Sequence, residues 1–309
     1  MRKQIIKALF GFNADDLRSN NAKIAELQDA LGQFKDDEAS YSQLVQEKLS
    51  RITDLGDAAF NILKAGRDNT ESLRNRLWEV RKTDEYDKVF TNKTPLVSVR
   101  IATFNNADKL INVAIKSVLN QTYKNIEIIV VGDNCTDDTA EKIAALNDSR
   151  ITFVNFPYRS VYPEDAHNRW LVAGSPGMNL GAYLAKGEWI APLDDDDEFS
   201  EDHIEKLLDV ALKNKAEFAY GAIMHKNTVT QETKVLFSDP PRFGEFSFQS
   251  VMYMKQLVFF EYDQQSWVVG EPGDWNLCRR MLLCGVRIAS TKDVVTTLHM
   301  TPHQLKKKD

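Results

Sequence analysis

β-rich and helical runs alternate through the middle of the chain. LVSVRIATF (96–104) is β-rich, and DKLINVAIKSVLNQT (108–122) has the apolar spacing of a helix. IEIIVVG (126–132) reads as a buried strand, TAEKIAAL (139–146) as a helix and RITFVNF (150–156) as a third strand. This alternation predicts an α/β fold with a mainly parallel sheet and flanking helices. Such sheets bind ligands at the carboxyl ends of their strands.

The loop after the first strand, ATFNNADK, contains no glycine. Dinucleotide-binding folds need glycines there so that the backbone can approach a pyrophosphate, and a P-loop needs its own glycine-rich pattern. The sequence therefore argues against nicotinamide-dependent dehydrogenases and P-loop kinases.

Polar and acidic residues follow three of the strands. Thr103, Phe104 and Asn105 end the first strand, Asp133 follows the second, and WIAPLDDDDEF (189–199) carries four consecutive aspartates after an apolar run. Adjacent carboxylates repel one another, and more strongly in a partly buried site than in water. A divalent cation shared with a substrate diphosphate offsets such repulsion, because hard cations take oxygen ligands.

Each acidic motif also has a purely structural interpretation. The aspartate run can be the acidic start of a helix with Ser200 as its N-cap, and DNCTDDT (133–139) can be a turn followed by a helix cap. Their joint occurrence at one edge of a parallel sheet favours a ligand site.

Several motifs, taken in order over about residues 95–300, resemble the family 2 glycosyltransferases of the GT-A fold. The stretches that carry the resemblance are PLVSVRIATFNN, SVLNQTYKNIEIIVV, VGDNCTDDT, GMNLGAYLAKGEWIAPLDDDDEF and GDWNLCRR. The resemblance implies a GT-A sheet and inverting, metal-dependent transfer of a sugar from a nucleoside-diphosphate sugar, most simply a UDP-sugar. The implied acceptor is a glycan, a lipid-linked glycan or another hydroxyl compound, and polysaccharide biosynthesis is the implied setting.

The resemblance also implies residue roles. Asp274 falls at the position of the catalytic base, and Trp267 and Trp275 beside it are acceptor-side candidates. Mn²⁺ or Mg²⁺ is expected on the D-x-D aspartates Asp194 and Asp196, with His299 as an additional ligand. The residues expected to contact the nucleotide-sugar donor are Thr103, Phe104, Asn105, Asp133, Asn179 and Asp195.

Four positions depart from the family pattern. Arg100 lies in a strand that is normally apolar, so it needs a buried partner, and Gly132 replaces an aspartate. Met178 replaces an arginine, and Gly273 replaces a glutamate, for which Glu271 could substitute. These departures keep an alternative open, in which the chain is a non-catalytic scaffold with a degenerate nucleotide-sugar-binding domain. Retaining transfer is a further alternative, since it also uses D-x-D.

Residues 1–94 contain no proline, and the change at Pro95 predicts two domains, 1–94 and 95–309. Apolar residues recur at heptad spacing from Leu17 to Val80, which predicts a helical coiled-coil region that self-associates. A hairpin of helices folded on the second domain is the alternative.

Composition limits the partners and the compartment. A net charge of −6 argues against nucleic-acid binding. Three cysteines match neither a metal-ligand spacing nor a disulfide framework, which suits the cytoplasm. The cationic, amphipathic start MRKQIIKALFGF (1–12) allows peripheral contact with the inner face of a membrane.

Overall fold

A computed structural model describes residues 38–300, leaving aside the side chains of residues 38–42 and 44. The predicted membrane contact of residues 1–12 and the first part of the predicted coiled coil lie outside the described residues. The chain divides into two compact units, one ending at Asp68 and the other beginning at Asn69.

The first unit contains the helix α1 (Glu38–Asp68). The helical prediction is confirmed for this stretch, although breaks were expected at Gly56 and Gly66. The helix passes through both glycines and ends just before Asn69, which has the left-handed conformation (φ 47°) that asparagine tolerates better than most residues. The predicted seam side chains Ile52, Leu55 and Ile62 are exposed. Pairing of this helix with another chain stays a prediction.

The second unit combines nine strands with eight α-helical elements within its described residues. In chain order these are α2 (Thr70–Val80), α3 (Asp84–Val89), β1 (Val97–Thr103), α4 (Ala107–Lys109, continued by the π-helical turn Leu110–Ile115 and by Lys116–Leu119), β2 (Ile126–Gly132), α5 (Thr139–Ala145), β3 (Ile151–Asn155), α6 (Ala166–Val172), α7 (Ser175–Leu184), β4 (Trp189–Asp194), β5 (Glu198–Phe199), α8 (His203–Asn214), β6 (Phe218–Asn227), β7 (Thr233–Leu236), β8 (Val251–Met254), α9 (Gly273–Cys284) and β9 (Ile288–Met300). Three 3-10 turns, Phe248–Ser250, Lys255–Leu257 and Ser266–Val269, lie around β8 and before α9.

One mixed sheet forms the centre of this unit. Its strand order is β3-β2-β1-β4-β8-β6-β9-β5, and β7 pairs with β6 at the side. The pairs among β1, β2, β3 and β4 are parallel, whereas β8 is antiparallel to β4 and β6. The predicted α/β fold is therefore confirmed, and the first three strands fall where the sequence placed them.

The strands β1, β2 and β4 of the parallel half of the sheet are buried on both faces. On one face, α7 comes close to β1 and β2 because two of its residues are glycines. A Cβ on Gly177 would lie 3.2 Å from the Cβ of Ala102, and one on Gly181 would lie 3.2 Å from the Cβ of Arg100. This close approach positions α7 over the strand ends that carry the polar residues.

The helices α2 and α3 pack into the core of this second unit, although they precede Pro95. Leu73 and Leu77 of α2 and Tyr86 and Val89 of α3 belong to the same buried cluster as the sheet. For the end of the predicted heptad region, the apolar face is therefore buried within the chain, as in the hairpin alternative. The division into 1–94 and 95–309 stays a prediction.

A buried carboxylate attaches α2 and α3 to the sheet. Glu217, directly before β6, is fully buried and accepts hydrogen bonds from Arg81 Nε at 2.6 Å and Nη2 at 2.7 Å. It also accepts hydrogen bonds from the Tyr86 hydroxyl and from the backbone N–H of Arg287. These donors hold the pKa of Glu217 below its usual value against the opposing effect of burial. The attachment therefore depends on one ionised side chain.

Replacing Glu217 with alanine should lower the free energy of unfolding by about 3–5 kcal/mol, because it leaves the buried donors without an acceptor. Urea unfolding is the measurement. Glu79→Ala is the matched control, since it removes a carboxylate from the exposed Glu79–Lys82 pair, where the loss should stay under about 1 kcal/mol. Equal losses in the two variants would contradict the role given to Glu217.

Candidate active site

The carboxyl ends of β1, β2 and β4 meet at one edge of the sheet. The backbone N–H of Asp133, after β2, donates to the carbonyl of Thr103 at the end of β1, at 2.9 Å. The Thr103 hydroxyl in turn donates to Asp195 Oδ2, after β4, at 2.6 Å. Three of the sequence-predicted residues are thus joined by direct hydrogen bonds across three neighbouring strands.

The four aspartates occupy the turn between β4 and β5. They lie before the first turn of α8, which begins at His203, so the interpretation as an acidic helix start is wrong. Each carboxylate has a partner of its own. The pairs are Asp194 with Gln249, Asp195 with Thr103 and with Asn106 at 2.9 Å, Asp196 with Lys109 at 3.2 Å, and Asp197 with the backbone N–H of His299 at 2.9 Å. The protein therefore supplies part of the compensation that the sequence assigned to a cation.

Negative charge remains concentrated at this turn. Burial raises the pKa of Asp194 to about 7, with the carboxylates of Asp196, Asp195 and Asp274 adding to the shift and Arg100 opposing it. Burial also raises the pKa of Asp197 well above its usual value, helped by its aspartate neighbours. The site thus favours a bound positive charge or a bound proton.

Arg100 lies beneath this edge and is 1% exposed. Its Nη2 donates to the Tyr262 hydroxyl at 2.5 Å, and the guanidinium carbon lies 5.0 Å from the centre of the Tyr262 ring. The sequence predicted an acid of the rim or of the N-terminal region as its partner, whereas its hydrogen-bond partner is a tyrosine. The rim acids interact with it through their charge, since Arg100 opposes the upward pKa shifts of Asp194 and Asp274. A fixed positive charge under the acidic edge stabilises its ionised form.

Asp274 lies in the first turn of α9 and is only partly exposed. Burial raises the pKa of this carboxyl group, against hydrogen bonds from backbone N–H groups that include Trp275 at 2.7 Å. Glu271, the alternative base, is 7% exposed and bonds Arg279 and Asn276. Because those groups bond both of its oxygens, Glu271 is less suited than Asp274 to accept a proton from a substrate.

Asp133 is 4% exposed and accepts four hydrogen bonds from the loop that follows β3. The donors are Arg159 Nη1, the backbone N–H and the hydroxyl of Ser160, and the Tyr162 hydroxyl, at 2.6–2.8 Å. Phe104, beside it, is 43% exposed and carries the Arg159 guanidinium on its ring, 3.3 Å from the centre. A flat aromatic face and a buried carboxylate therefore lie side by side.

The side chains of the two predicted asparagines mainly form hydrogen bonds with backbone groups. Asn105 has a left-handed conformation (φ 48°), and its Oδ1 accepts from the backbone N–H of Thr136 at 2.8 Å. Asn179 exchanges two hydrogen bonds with the backbone of Tyr262, at 2.8 and 3.0 Å. The structure brings Asn105 to the strand edge, whereas the Asn179 amide is bonded to Tyr262. Contact between Asn179 and the nucleotide-sugar donor stays a prediction.

His299, near the end of β9, lies beside the aspartate turn. Its Nε2 is 3.3 Å from Glu198 Oε1, and its backbone bonds Asp197. The three predicted metal ligands, Asp194, Asp196 and His299, thus share a region but have different partners. Within residues 38–300, no group of three His, Cys, Asp or Glu side chains is already arranged around a cation position.

Local packing accounts for two departures from the family pattern. A Cβ on Gly132 would lie 2.5 Å from Asn155 Oδ1, so a side chain there would displace the Asn155 amide, which bonds Cys135. A Cβ on Gly273 would lie 3.3 Å both from Ser175 Oγ and from the Tyr262 ring, so any larger residue requires these neighbours to move. Met178 is partly buried against the core on α7.

Several contacts at the site come from residues that the sequence did not single out. Gln249, Lys109 and the loop residues Arg159, Ser160 and Tyr162 belong to no recognisable motif. They come from segments distant in sequence, so only tertiary proximity brings them to the aspartates. Asp137 supports the structural interpretation of its own motif, because its Oδ1 accepts from the Thr139 hydroxyl at 2.5 Å.

The family model described as glycosyl transferase family 2 matches residues 98–255, about half of the chain. That range contains β1, β2, β4 and the aspartate turn. The chain belongs to glycosyl transferase family 2. The predicted GT-A fold and the predicted family membership are both confirmed.

Curated glycosyltransferases match over slightly less than half of the chain. One is the Escherichia coli UDP-Glc:alpha-D-GlcNAc-diphosphoundecaprenol beta-1,3-glucosyltransferase WfaP, 34% identical over 149 residues, covering 47% of this chain and 52% of the relative. Another is the Campylobacter jejuni GalNAc(5)-diNAcBac-PP-undecaprenol beta-1,3-glucosyltransferase, 33% identical over 135 residues, covering 43% of this chain and 40% of the relative. The chain spans about half the length of the curated relatives it matches.

Among solved structures, S. aureus TarS 1-349 in complex with UDP-GlcNAc matches with a TM-score of 0.51 and 15% sequence identity. The match covers 66% of this chain and 58% of TarS 1-349. At that identity the likeness establishes the shared fold.

No helix among residues 38–300 combines the length and the apolar character needed to cross a membrane.

A buried chain of hydrogen bonds supports Asp194 from behind. Its partner Gln249 offers its backbone carbonyl to the Thr296 hydroxyl at 2.8 Å, and Thr296 Oγ1 lies 3.2 Å from Nδ1 of His203. His203 is fully buried and stacks on Phe199, with ring centres 3.6 Å apart. Burial lowers the pKa of His203 to about 3, so the ring is neutral in the folded protein.

Stability should therefore depend on His203 in acid. The unfolded chain binds a proton at this residue below about pH 6.5, and the folded chain does so only near pH 3. Its contribution to the free energy of unfolding is thus present above pH 6.5 and is lost as the pH falls, by up to about 1.4 kcal/mol per pH unit. Urea unfolding from pH 7 to 4 should show a shallower acid loss in His203→Asn than in the parent. Parallel curves for the two proteins would contradict this assignment.

Proposed function

We propose that the protein is an inverting glycosyltransferase that moves a sugar from a UDP-sugar to a hydroxyl group of a lipid-linked glycan. The observation that carries the proposal is the hydrogen-bonded group of Asp133, Thr103 and the aspartate turn at one edge of a GT-A sheet in a family 2 chain, with Asp274 close enough to contribute to the raised pKa of Asp194. The Escherichia coli and Campylobacter jejuni relatives are named for glucosyl transfer to acceptors on undecaprenol diphosphate. Both names support this class of acceptor, and the former also specifies UDP-Glc as donor.

The nucleoside half of the donor is assigned to the end of β1 and β2. Phe104 offers an exposed aromatic face for a base to stack on, and Asp133 offers a buried carboxylate to accept from a base N–H. Thr103, Asn105 and Asp195 form the adjoining polar edge, within one hydrogen-bonded group. Stacking plus one directed hydrogen bond is an effective way to hold a base.

Asp274 is assigned as the general base that removes the acceptor hydroxyl proton while the oxygen attacks the anomeric carbon. Its pKa is raised by burial, which makes its carboxylate a stronger proton acceptor. The alternative, Glu271, is committed to Arg279 and Asn276. A single base on the acceptor side suits inversion at the anomeric carbon.

An exposed aromatic pair marks the acceptor side. Phe243 is 64% exposed, and its ring centre lies 5.9 Å from that of Trp275, the residue after Asp274. Aromatic faces suit the apolar faces of sugar rings. Trp267, the other sequence candidate, is partly exposed in the 3-10 turn before α9.

Mn²⁺ or Mg²⁺ is assigned to the aspartate turn. The donor set of carboxylate oxygens has the chemistry that hard cations prefer, and burial disfavours the ionised form of Asp194, which a bound cation would stabilise. Asp196 is the best placed ligand, because its side chain is 32% exposed and its partner Lys109 is itself 47% exposed. Asp194 and His299 lie on either side of that turn. Bound there, the ion would neutralise charge on the donor diphosphate.

This activity places the protein in the cytoplasm at the inner face of a membrane, where a lipid-linked acceptor is accessible. Self-association, predicted for residues 17–80, is proposed for the part before Asn69, since the apolar face of α2 is buried within the chain. Membrane contact through residues 1–12 belongs to the same proposal. Both rest on the heptad pattern and on the cationic, amphipathic start of the sequence.

Replacing Asp274 with asparagine should leave UDP-sugar binding intact and slow transfer by about 10²–10⁴-fold, because the variant lacks the proton acceptor. Calorimetry gives the donor affinity, UDP release with a lipid-linked acceptor gives the rate, and the anomeric configuration of the product tests inversion. Asp293→Asn, at an exposed carboxylate bonded to Thr291, is the matched control. Full turnover in Asp274→Asn would refute the assigned base.

Removing divalent cations should weaken UDP binding at least tenfold, because a diphosphate then meets an uncompensated cluster of carboxylates. UDP titrations with Mn²⁺ and with EDTA measure this, and electron paramagnetic resonance of Mn²⁺ measures the ion directly. In Asp196→Asn, the signal of protein-bound Mn²⁺ and the Mn²⁺ dependence of UDP binding should be lost together. UDP affinity and turnover unaffected by EDTA would rule out the metal assignment.

A further inference from the structure

Arg159 occupies the position between Phe104 and Asp133. Its guanidinium carbon lies 3.3 Å from the centre of the Phe104 ring, and its Nη1 donates to Asp133 Oδ2 at 2.6 Å and to the Asp133 carbonyl at 3.1 Å. The guanidinium group is flat, stacks on the face of the Phe104 ring and directs an N–H at the Asp133 carboxylate. These are the interactions that a nucleobase with an N–H edge would make at the same place.

The hydrogen-bonding capacity of Asp133 is fully used in this arrangement. Oδ1 accepts from the backbone N–H and the hydroxyl of Ser160, and Oδ2 accepts from Arg159 and from the Tyr162 hydroxyl. A carboxylate oxygen has two lone pairs, so a ligand N–H can bond Asp133 well only if one of these donors leaves. Asp133 as it stands is therefore closed to a base.

Of these hydrogen-bond donors, Arg159 is the one most easily displaced from Asp133. Its side chain is 39% exposed, whereas that of Asp133 is 5% exposed. Ser160 is held by two bonds to one oxygen, and the Tyr162 hydroxyl also accepts from the backbone N–H of Gly174 at 3.3 Å. If Arg159 swings out, three donors still hold the carboxylate in place, and one lone pair of Oδ2 and the face of Phe104 become free together.

We infer that Arg159 is a resident competitor of the nucleobase, a residue that sets donor affinity by occupying the base subsite until a base N–H replaces its guanidinium. The inference rests on the assignment of Phe104 and Asp133 to the nucleoside in the proposed function. Since only the fraction of molecules with Arg159 displaced can bind the base, the apparent dissociation constant equals the intrinsic one divided by that fraction. A base that lacks an N–H for Asp133 cannot complete the exchange, so Arg159 also contributes to base selection.

This competition predicts an effect opposite to that of simple electrostatics. Removing a positive side chain normally weakens the binding of an anion such as UDP. Here Arg159→Ala should bind UDP about 5–20-fold more tightly, because the base no longer competes with the guanidinium. Inorganic pyrophosphate, which carries no base, should show no such gain.

Calorimetric titration of UDP and of pyrophosphate, with Mn²⁺ present, tests the inference on the full-length protein and on Arg159→Ala. Arg150→Ala is the matched control, since it removes an arginine that lies directly before β3 and pairs with Asp148. The UDP affinity of this variant should equal that of the parent. Phe104→Ala should weaken UDP binding, because it removes the stacking face. Urea unfolding of each variant establishes that it is folded.

The outcomes separate the inference from the function on which it rests. Tighter UDP binding by Arg159→Ala, without a gain for pyrophosphate, supports the competition. Equal or weaker UDP binding by Arg159→Ala overturns it, while measurable UDP binding by the parent leaves the nucleotide-sugar function standing. Absence of UDP binding in the parent and in Arg159→Ala alike rejects the proposed function, and the inference with it.

Discussion

Four adjacent carboxylates end a buried strand, and the electrostatic cost of placing them there shapes the surrounding structure. Each aspartate of the turn takes its partner from a different segment: Gln249 before β8, Thr103 of β1, Lys109 of α4 and the backbone of β9. The turn is thereby attached on every side to the sheet and its helices. Compensation is still incomplete, since the pKa of Asp194 stays raised to about 7. A site whose carboxylates are fixed in place and still unfavourable to ionise is suited to binding a cation and, with it, a diphosphate.

A second charge, that of an arginine, is buried beneath the acidic edge. Arg100 replaces an apolar residue of the family pattern and is enclosed by the close approach of α7 at Gly181 and by Tyr262. It opposes the upward pKa shifts of both Asp194 and Asp274. One side chain thus links the proposed metal region to the proposed base. The departure from the family pattern at Arg100 is therefore better explained as part of the site than as a sign of decay.

The sequence predicted the first three strands, their parallel pairing and the edge at which the acids collect, because apolar periodicity and strand-end polarity are local signals. It also predicted helix upstream; that helix continues through Gly56 and Gly66 and ends before Asn69, which has a left-handed conformation. The sequence offered a turn interpretation of the segment that contains Asp137, and the local bond from the Thr139 hydroxyl agrees with it. It did not reveal that Asn276 and Arg279 of α9 bond Glu271, because that depends on how the segment before the helix folds back on it.

By itself, the sequence determined the α/β class, the family and the acidic character of the strand edge, since these follow from patterns within short segments. Only the tertiary structure decided which groups those acids meet. Arg159 stacks on Phe104 and bonds Asp133, and Gln249 bonds Asp194, because the fold brings distant segments within hydrogen-bond distance. Such contacts act over a few ångströms and leave no periodic trace along the chain, so no pattern in the sequence records them.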